Sequence, residues 1–340
     1  MTPRATGSGA ATSGGITFQH RVAAYYEGHD RDASGSGPYA GSVDVMQAAR
    51  SPADARRQAD ACQELLNYLQ DELRPRVGVP EPQPAHWGIL LALFASATTT
   101  YEAAVLLARE EFGYQAAMLN RSLFEAMVDC YWAAMNPTLA VERIKDHTTY
   151  NAHLKARVSA KYPDQFGGLA PPPPLSDAEE KRLRKLYRRG SVSWTGLSLY
   201  DRVKAISERW PEGKAREHLM FFVDIANSIN NEVLHPTPWG MSRTTRPATA
   251  PDGSEAVRFH VGKSPEFCSE ALFGSFWIAS SVVRLILQQC GLEPEEFEDG
   301  LYTRGIRAFV SIRSEELRKL GRNEQCPCGS GLKLKRCHGQ

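Results

Sequence analysis

The chain has 340 residues, of which 42% are hydrophobic, and its formal net charge is +1. This length can bury one large core or two small ones, and the near-neutral charge argues against a protein dedicated to coating nucleic acid. Local basic patches remain compatible with that balance. Residues 1–15 lack the apolar stretch of a signal peptide, so we expect a soluble, cytoplasmic protein whose thiols stay reduced.

The first 43 residues are predicted to be a largely disordered N-terminal segment. The runs ATGSGAATSGG and ASGSGPYAGS carry too little apolar surface to offset the entropy of ordering. From residue 44 to residue 300 the sequence predicts a helical domain. Its first helix, between residues 52 and 73, places five apolar side chains at three- and four-residue steps: Cys62, Leu65, Leu66, Leu69 and Leu73.

Two later segments, 89–107 and 271–288, are long and apolar enough to raise the question of a membrane span. Polar residues at 98–102 interrupt the first, and Arg284 interrupts the second. Both are therefore predicted to be buried helices of a bundle. The cysteines that fall within the apolar helical patterns are predicted to be buried thiols: Cys62, Cys130, Cys268 and Cys290.

A helix predicted over 114–134 carries a charged face. Arg121, Glu125 and Asp129 lie four residues apart and so share that face, surrounded by apolar residues. Charges in such surroundings must pair. Two interpretations stay open: an internal Arg121–Glu125 ion pair that fixes the register of the helix, or a functional pair at an active site.

After a further helix that runs to about residue 160, a capping box of Ser176 and Glu179 begins a strongly basic helix. Its cations are Lys181, Arg182, Arg184, Lys185, Arg188 and Arg189. A solvated basic face is the favoured interpretation, and binding to phosphate groups is the alternative. A short helix over 201–210 follows.

The segment 217–236 predicts an amphipathic helix with a polar face that includes Asn231 and His235. Pro236 ends the helix directly after His235, where the helix dipole favours the protonated imidazole. His235 is a candidate acid or base, or simply a cap for carbonyl groups. Together with Arg121 and Glu125, Asn231 and His235 form the predicted polar pocket, and these four are the candidate catalytic residues.

The last twenty residues carry a C-x-C-x8-C-H spacing formed by Cys326, Cys328, Cys337 and His338. So short a segment cannot fold by burying a core, and three thiolates with one imidazole complete a closed tetrahedral shell suited to structural Zn²⁺. The sequence therefore predicts a zinc knuckle over residues 321–340, joined to the body by a helical stalk over residues 301–320. An unstructured tail is the alternative.

This tail resembles the SEC-C motif, a small zinc module at the C-terminus of the SecA translocation motor and of many otherwise unrelated bacterial proteins. The matching residues are Asn323, Cys326-Pro327-Cys328-Gly329-Ser330-Gly331 and Lys335-Arg336-Cys337-His338-Gly339. The resemblance implies a structural zinc ion and docking to a protein partner such as a chaperone or the ribosome, rather than catalysis.

Two resemblances concern the body. Arg121-Ser122-x-x-Glu125, Trp194-x-Gly196 and the His235-Pro236 helix end resemble an uncharacterised bacterial helical family of unknown function, over roughly residues 55–290. Separately, Asn230-Asn231-x-x-x-His235 resembles the HEPN ribonuclease motif, Arg-polar-x-x-x-His, which implies metal-independent attack of a ribose 2′-OH on its own phosphate. Asn230 stands where that family has arginine, and Arg121 is the candidate replacement.

The sequence thus predicts an all-α protein, a multi-helix bundle with a small C-terminal zinc knuckle. The leading function is a zinc-binding interaction or adaptor protein whose knuckle docks to a protein or ribonucleoprotein. The alternative is an HEPN-like endoribonuclease, a toxin or phage-defence effector that acts on RNA and is targeted by the knuckle. The sequence has no phosphate-binding glycine loop, H-E-x-x-H or G-x-S-x-G motif.

Overall fold

The fold is taken from a computed structural model. It describes residues 52–77, 84–162, 174–187, 193–209, 223, 245–250, 253–259, 262–263, 267–309, 321, 323–324, 333 and 335.

The helices of the described residues are α1 (Pro52–Asn67), α2 (Trp87–Arg109), α3 (Gly113–Met135), α4 (Pro137–Lys161), α5 (Asp177–Leu186), α6 (Leu199–Glu208), α7 (Cys268–Gln289) and α8 (Thr303–Arg307). Helix α1 continues through a π-helical segment, Tyr68–Leu73, into one last turn, Arg74–Arg76. A similar segment, Glu295–Phe297 followed by the π-helical Glu298–Tyr302, leads into α8.

Helix accounts for 79% of the described residues, which confirms the predicted all-α class. The exception is a small antiparallel hairpin of β1 (Thr245–Thr249) and β2 (Glu255–Phe259), in which Thr245 lies opposite Phe259.

The core lies where α2, α3 and α7 pack against one another, with α1 covering α2 and α7. The predicted stripe of α1 and its π-helical continuation faces this core, since Cys62, Leu65 and Leu73 are completely buried. Burying each leucine of this kind stabilises the fold by about 1.5–3 kcal/mol relative to an exposed side chain.

Helices α2 and α7 are the two described helices that are long and apolar enough to cross a membrane. Within their apolar windows, 33% of α2 and 67% of α7 are buried inside the protein. Both pack against α3 and against each other, as predicted for central helices of a bundle.

Helix α4 differs from these core helices because Ala140 is its only buried residue. It leaves the bundle after the short connection at Asn136, and the middle part of α4 packs against α5. Arg182 donates two hydrogen bonds to Asp146, of 2.7 and 2.8 Å, and Glu180 lies 3.5 Å from the His153 ring. Later residues of α4 thus pair with earlier residues of α5, which shows that the two helices run antiparallel. We call these two helices the α4–α5 hairpin.

The predicted capping box at the start of α5 is confirmed. The Ser176 hydroxyl accepts a hydrogen bond from the Glu179 backbone N–H, and the Glu179 carboxylate accepts one from the Ser176 backbone N–H. Because two otherwise unpaired N–H groups are satisfied reciprocally, α5 begins at a defined residue.

None of the four body cysteines forms a disulfide with another described residue. Cys62 and Cys130 are buried as predicted, whereas Cys268 and Cys290 are only half-buried, because they lie at the two ends of α7. Burial raises the pKa of the Cys62 thiol to about 12 and that of Cys268 to about 11. All four therefore stay protonated near neutral pH and are poor nucleophiles.

Candidate functional site

Arg121, Glu125 and Asp129 share one face of α3, as predicted, but they belong to two separate ion pairs. In the first pair, the Arg121 Nε atom lies 3.1 Å from a Glu125 carboxylate oxygen. Their side chains are 27% and 39% exposed, so solvent screens the interaction. Pairs of this kind contribute about 0.3–0.5 kcal/mol. The Arg121–Glu125 ion pair is thus present, and a catalytic role for the two residues stays a prediction.

The second pair contains Asp129, one turn further along α3 and almost completely buried. Its two carboxylate oxygens have different partners. Arg202 on α6 donates from Nη1 to one oxygen, and the Trp194 indole N–H donates to the other over 2.9 Å. Arg202 is itself only 2% exposed. A buried ion pair completed by a second hydrogen-bond donor therefore joins α3 to α6.

Burial has the largest effect on the pKa of the Asp129 carboxyl. Removal from water raises the pKa of the Asp129 carboxyl above its ordinary value, while Arg202 and the Trp194 N–H act in the opposite direction. The Glu125 charge one turn away adds to the rise. Because both oxygens of Asp129 already accept hydrogen bonds, this carboxylate is suited to holding helices together rather than to taking a proton from a substrate.

Trp194 is held in place by a tight turn that precedes α6. Within the turn, the Ser193 hydroxyl contacts the Thr195 hydroxyl at 2.8 Å, and Gly196 has a φ of +76°. A side chain at Gly196 would also clash, since its Cβ would lie 2.7 Å from the Leu186 Cδ1 atom. The Trp194-x-Gly196 pattern therefore has a physical basis: the glycine permits the turn, and the turn aims the indole at Asp129.

The same turn contacts the α4–α5 hairpin. The Tyr187 hydroxyl at the end of α5 lies within hydrogen-bonding distance of two carbonyl oxygens, 3.2 Å from that of Trp194 and 3.1 Å from that of Arg143 on α4. The Trp194 ring also packs edge-on against Trp132 of α3, with 5.5 Å between ring centroids. Asp129, Trp194, Arg202 and Tyr187, which we call the Asp129 network, thus link the bundle to the hairpin.

Sequence reasoning placed Asp129 on the right face and missed its partner. Arg202 lies on the apolar stripe of α6, at the position of a core residue beside Leu199, Val203 and Ile206. A cation at a core position is a signal that a buried acid lies opposite, because an unpaired buried charge is too costly. That signal was available in the sequence.

The remaining predicted site residues lie outside the described residues. These are the pocket residues Asn231 and His235 and the zinc ligands Cys326, Cys328, Cys337 and His338. Of the predicted pocket, the structure therefore brings together Arg121 and Glu125 alone. Within the part of the chain that is described, no three histidine, cysteine or acidic side chains are grouped as a metal site.

Two families match this chain. Residues 322–340 match the SEC-C motif, and residues 87–243 match a family of unknown function, DUF5677. The resemblances to the SEC-C motif and to an uncharacterised helical family are thereby confirmed, the second over a shorter range than predicted. The resemblance to the HEPN motif stays a prediction. The Asp129 network falls within the DUF5677 match, whereas α1 and α7, which pack on the matched helices, lie outside it.

Curated relatives are similar to this chain in the SEC-C region. The protein translocase subunit SecA of Methylococcus capsulatus is 55% identical over 47 residues, and that of Stutzerimonas stutzeri is 50% identical over 48 residues. Each match covers 14% of this chain and 5% of the relative. The chain thus spans about a twentieth of the length of these relatives, and no solved structure matches it.

Proposed function

We propose that this chain is a zinc-binding adaptor, in which the SEC-C segment holds a structural Zn²⁺ ion and docks to a protein or ribonucleoprotein. The match of residues 322–340 to the SEC-C motif carries this proposal. The helical body is the scaffold on which the SEC-C segment is carried.

The donor set fits the ion. Cys326, Cys328, Cys337 and His338 supply three thiolates and one imidazole, the soft ligands that Zn²⁺ prefers in closed four-coordinate sites. All four positions are filled by protein atoms, so the ion stabilises a fold and offers no open position to a substrate water. In zinc-finger peptides such binding contributes about 10–16 kcal/mol. The SEC-C segment is therefore expected to fold only with its metal.

Contacts in the body favour a scaffold over an enzyme. Arg121 is engaged by Glu125, and both oxygens of Asp129 are engaged by Arg202 and Trp194. The charged groups that the sequence marked on α3 are thus used within the fold. We place the protein in the cytoplasm, where reduced thiols remain available to the metal.

Metal content is the first test. We expect the purified full-length chain to contain a single equivalent of zinc, and the Cys337→Ser variant to lose it. Cys290→Ser is the matched control, because Cys290 is a half-buried thiol at the end of α7 and belongs to the body. Zinc retained at the wild-type level in Cys337→Ser would show that the ligand assignment is wrong.

Docking is the second test. Co-sedimentation with purified ribosomes is expected for the wild type and for Cys290→Ser, and is expected to be lost in Cys337→Ser. Equal binding by all three proteins would show that the SEC-C segment does not mediate the contact. Absence of binding by the wild type would exclude the ribosome, and the same comparison would then be made with purified chaperones.

The endoribonuclease alternative makes an opposite prediction. It requires cleavage of RNA in excess EDTA by the wild type and by Cys337→Ser, with loss of cleavage in His235→Ala. The adaptor proposal predicts intact RNA with all three proteins.

A further inference from the structure

Positive charge is concentrated on the α4–α5 hairpin. Residues 137–162 and 174–187 contain nine lysines and arginines against five aspartates and glutamates, a surplus of four in a chain whose formal charge is +1. The rest of the chain therefore carries a small negative charge, and the near-neutral total conceals a basic surface.

The acidic residues of the hairpin are largely used within it. Asp146 is held by both terminal nitrogens of Arg182, and this contact lowers the pKa of the Asp146 carboxyl, which keeps it ionised. Glu180 lies 3.5 Å from both His153 and Arg157, and Glu179 caps the start of α5. Six exposed cations of the hairpin form no ion pair with another described residue: Lys145, Lys155, Lys161, Lys181, Arg184 and Lys185.

Helix α4 also exposes apolar and aromatic surface. Its 25 residues span about 38 Å. Four of the six large apolar side chains that are exposed among the described residues belong to it or to the residue that follows it: Leu139, Leu154, Val158 and Tyr162. The last three follow one another at four-residue steps and so lie on one line. Lys161 lies beside this line, with its Nζ atom 5.3 Å from the centroid of the Tyr162 ring.

We propose that the α4–α5 hairpin is a docking surface for single-stranded nucleic acid. The exposed lysines neutralise backbone phosphates, and Tyr162, which is 45% exposed, offers a ring on which a base stacks. The lysine ammonium groups suit this role because each is a flexible point charge with three donors. This surface goes beyond the adaptor function, since it lies in the body and uses no zinc ligand.

The placement of the cations favours a polyanion over an acidic protein helix. A partner helix would need an apolar groove with charges along its edges. Helix α5 carries Lys181, Arg184 and Lys185 with no exposed large apolar side chain. The partner that binds this helix is therefore recognised by its negative charge. An unbranched phosphate backbone carries negative charges at regular intervals.

The test is fluorescence anisotropy of the full-length protein with labelled RNA and DNA single strands of about 16 nucleotides. The variant Lys145→Glu/Lys155→Glu/Lys185→Glu reverses three exposed cations of the hairpin. Its matched control, Arg56→Glu/Arg74→Glu/Arg76→Glu, reverses three exposed cations at α1 and the turn that follows it, so both proteins have the same net charge.

We expect the hairpin variant to bind RNA about tenfold more weakly or worse, and the control to bind as the wild type does. The slope of log affinity against log salt concentration should become shallower by about 2 in the hairpin variant, because each lost phosphate contact removes about 0.7. DNA should behave like RNA, since phosphate contacts and stacking do not use the 2′-OH. Equal losses in both variants, or no binding of either probe by the wild type, would overturn the proposal.

Two further comparisons separate this surface from its alternatives. Tyr162→Ala is expected to weaken binding severalfold, whereas Tyr200→Ala, which removes a tyrosine that is 49% exposed on α6, is not. Cys337→Ser should keep the wild-type affinity, so failure of the zinc proposal would leave this one standing. If polyglutamate of equal charge displaces the RNA at the same concentration as unlabelled RNA does, the surface binds acidic protein and the proposal is wrong.

Discussion

The bundle and the α4–α5 hairpin each contain an aspartate–arginine pair, and the two pairs show how burial sets the role of a charge. In the bundle, Asp129 and Arg202 are almost inaccessible to water and link two helices. On the hairpin, the Arg182 side chain of the Asp146–Arg182 pair is 54% exposed. The first pair cannot lose one partner without leaving a buried charge. The second pair can, because water replaces the missing partner.

The largest expected effect comes from breaking the buried pair. Arg202→Ala should lower the free energy of unfolding by about 3–5 kcal/mol, because it leaves the Asp129 carboxylate buried without its cation. Urea unfolding followed by circular dichroism measures this loss. The matched control is Arg182→Ala. We expect this change to lower the free energy of unfolding by less than about 1 kcal/mol, although Arg182 donates two hydrogen bonds to Asp146.

Losses of similar size in Arg202→Ala and Arg182→Ala would contradict the comparison. It would also fail if the double variant Asp129→Leu/Arg202→Met were less stable than Arg202→Ala. Removing both charges together leaves neither one unpaired, so the double variant should recover part of the stability.

A second prediction concerns packing in the bundle, at the contact of α8 with α7. A Cβ atom at Gly305 would lie 2.2 Å from the ring of Phe276, which is completely buried. Gly305→Ala should therefore destabilise the protein by about 1–3 kcal/mol, since the ring must move within a close-packed core. The same unfolding assay measures this change.

Gly88→Ala is the control for the glycine itself. Gly88 also lies in a helix, and a Cβ atom added there would have no other atom within 4 Å. Alanine there should stabilise the protein by about 0.4–1 kcal/mol through the unfolded state. If Gly305→Ala also stabilises the protein, helix propensity rather than the Phe276 contact governs Gly305.

The elements that could be predicted from the sequence are those set by local pattern. The apolar stripe ending at Leu73, the capping box at Ser176 and the two apolar helices each depend on residues a few positions apart, and each is present. The partners of Asp129 could not be predicted from local pattern. Its partners Trp194 and Arg202 are 65 and 73 residues away, and three-dimensional packing brings them together.

The candidate site divides in the same way. The Arg121–Glu125 pair lies within one helical turn, so its spacing alone predicted it. The predicted zinc ligands lie close together in the sequence, and their spacing was sufficient to identify the SEC-C motif. A pocket made by Arg121 with His235 requires two separate segments to meet, which no local pattern determines.

The smallest expected effect tests whether burial or pairing dominates at Asp129. Burial raises the pKa of this carboxyl in the folded protein above the value of about 3.9 of an unfolded chain. Between these two pKa values the folded state binds more protons than the unfolded state, so the contribution of Asp129 to stability falls as the pH rises.

Asp129→Asn cannot titrate, while Arg202 stays charged in both proteins. The stability of the wild type relative to Asp129→Asn should therefore decrease from pH 4 to pH 7 in urea unfolding. An increase over that range would mean that Arg202 and Trp194 outweigh burial, and that the pair stabilises the charged carboxylate more than water does.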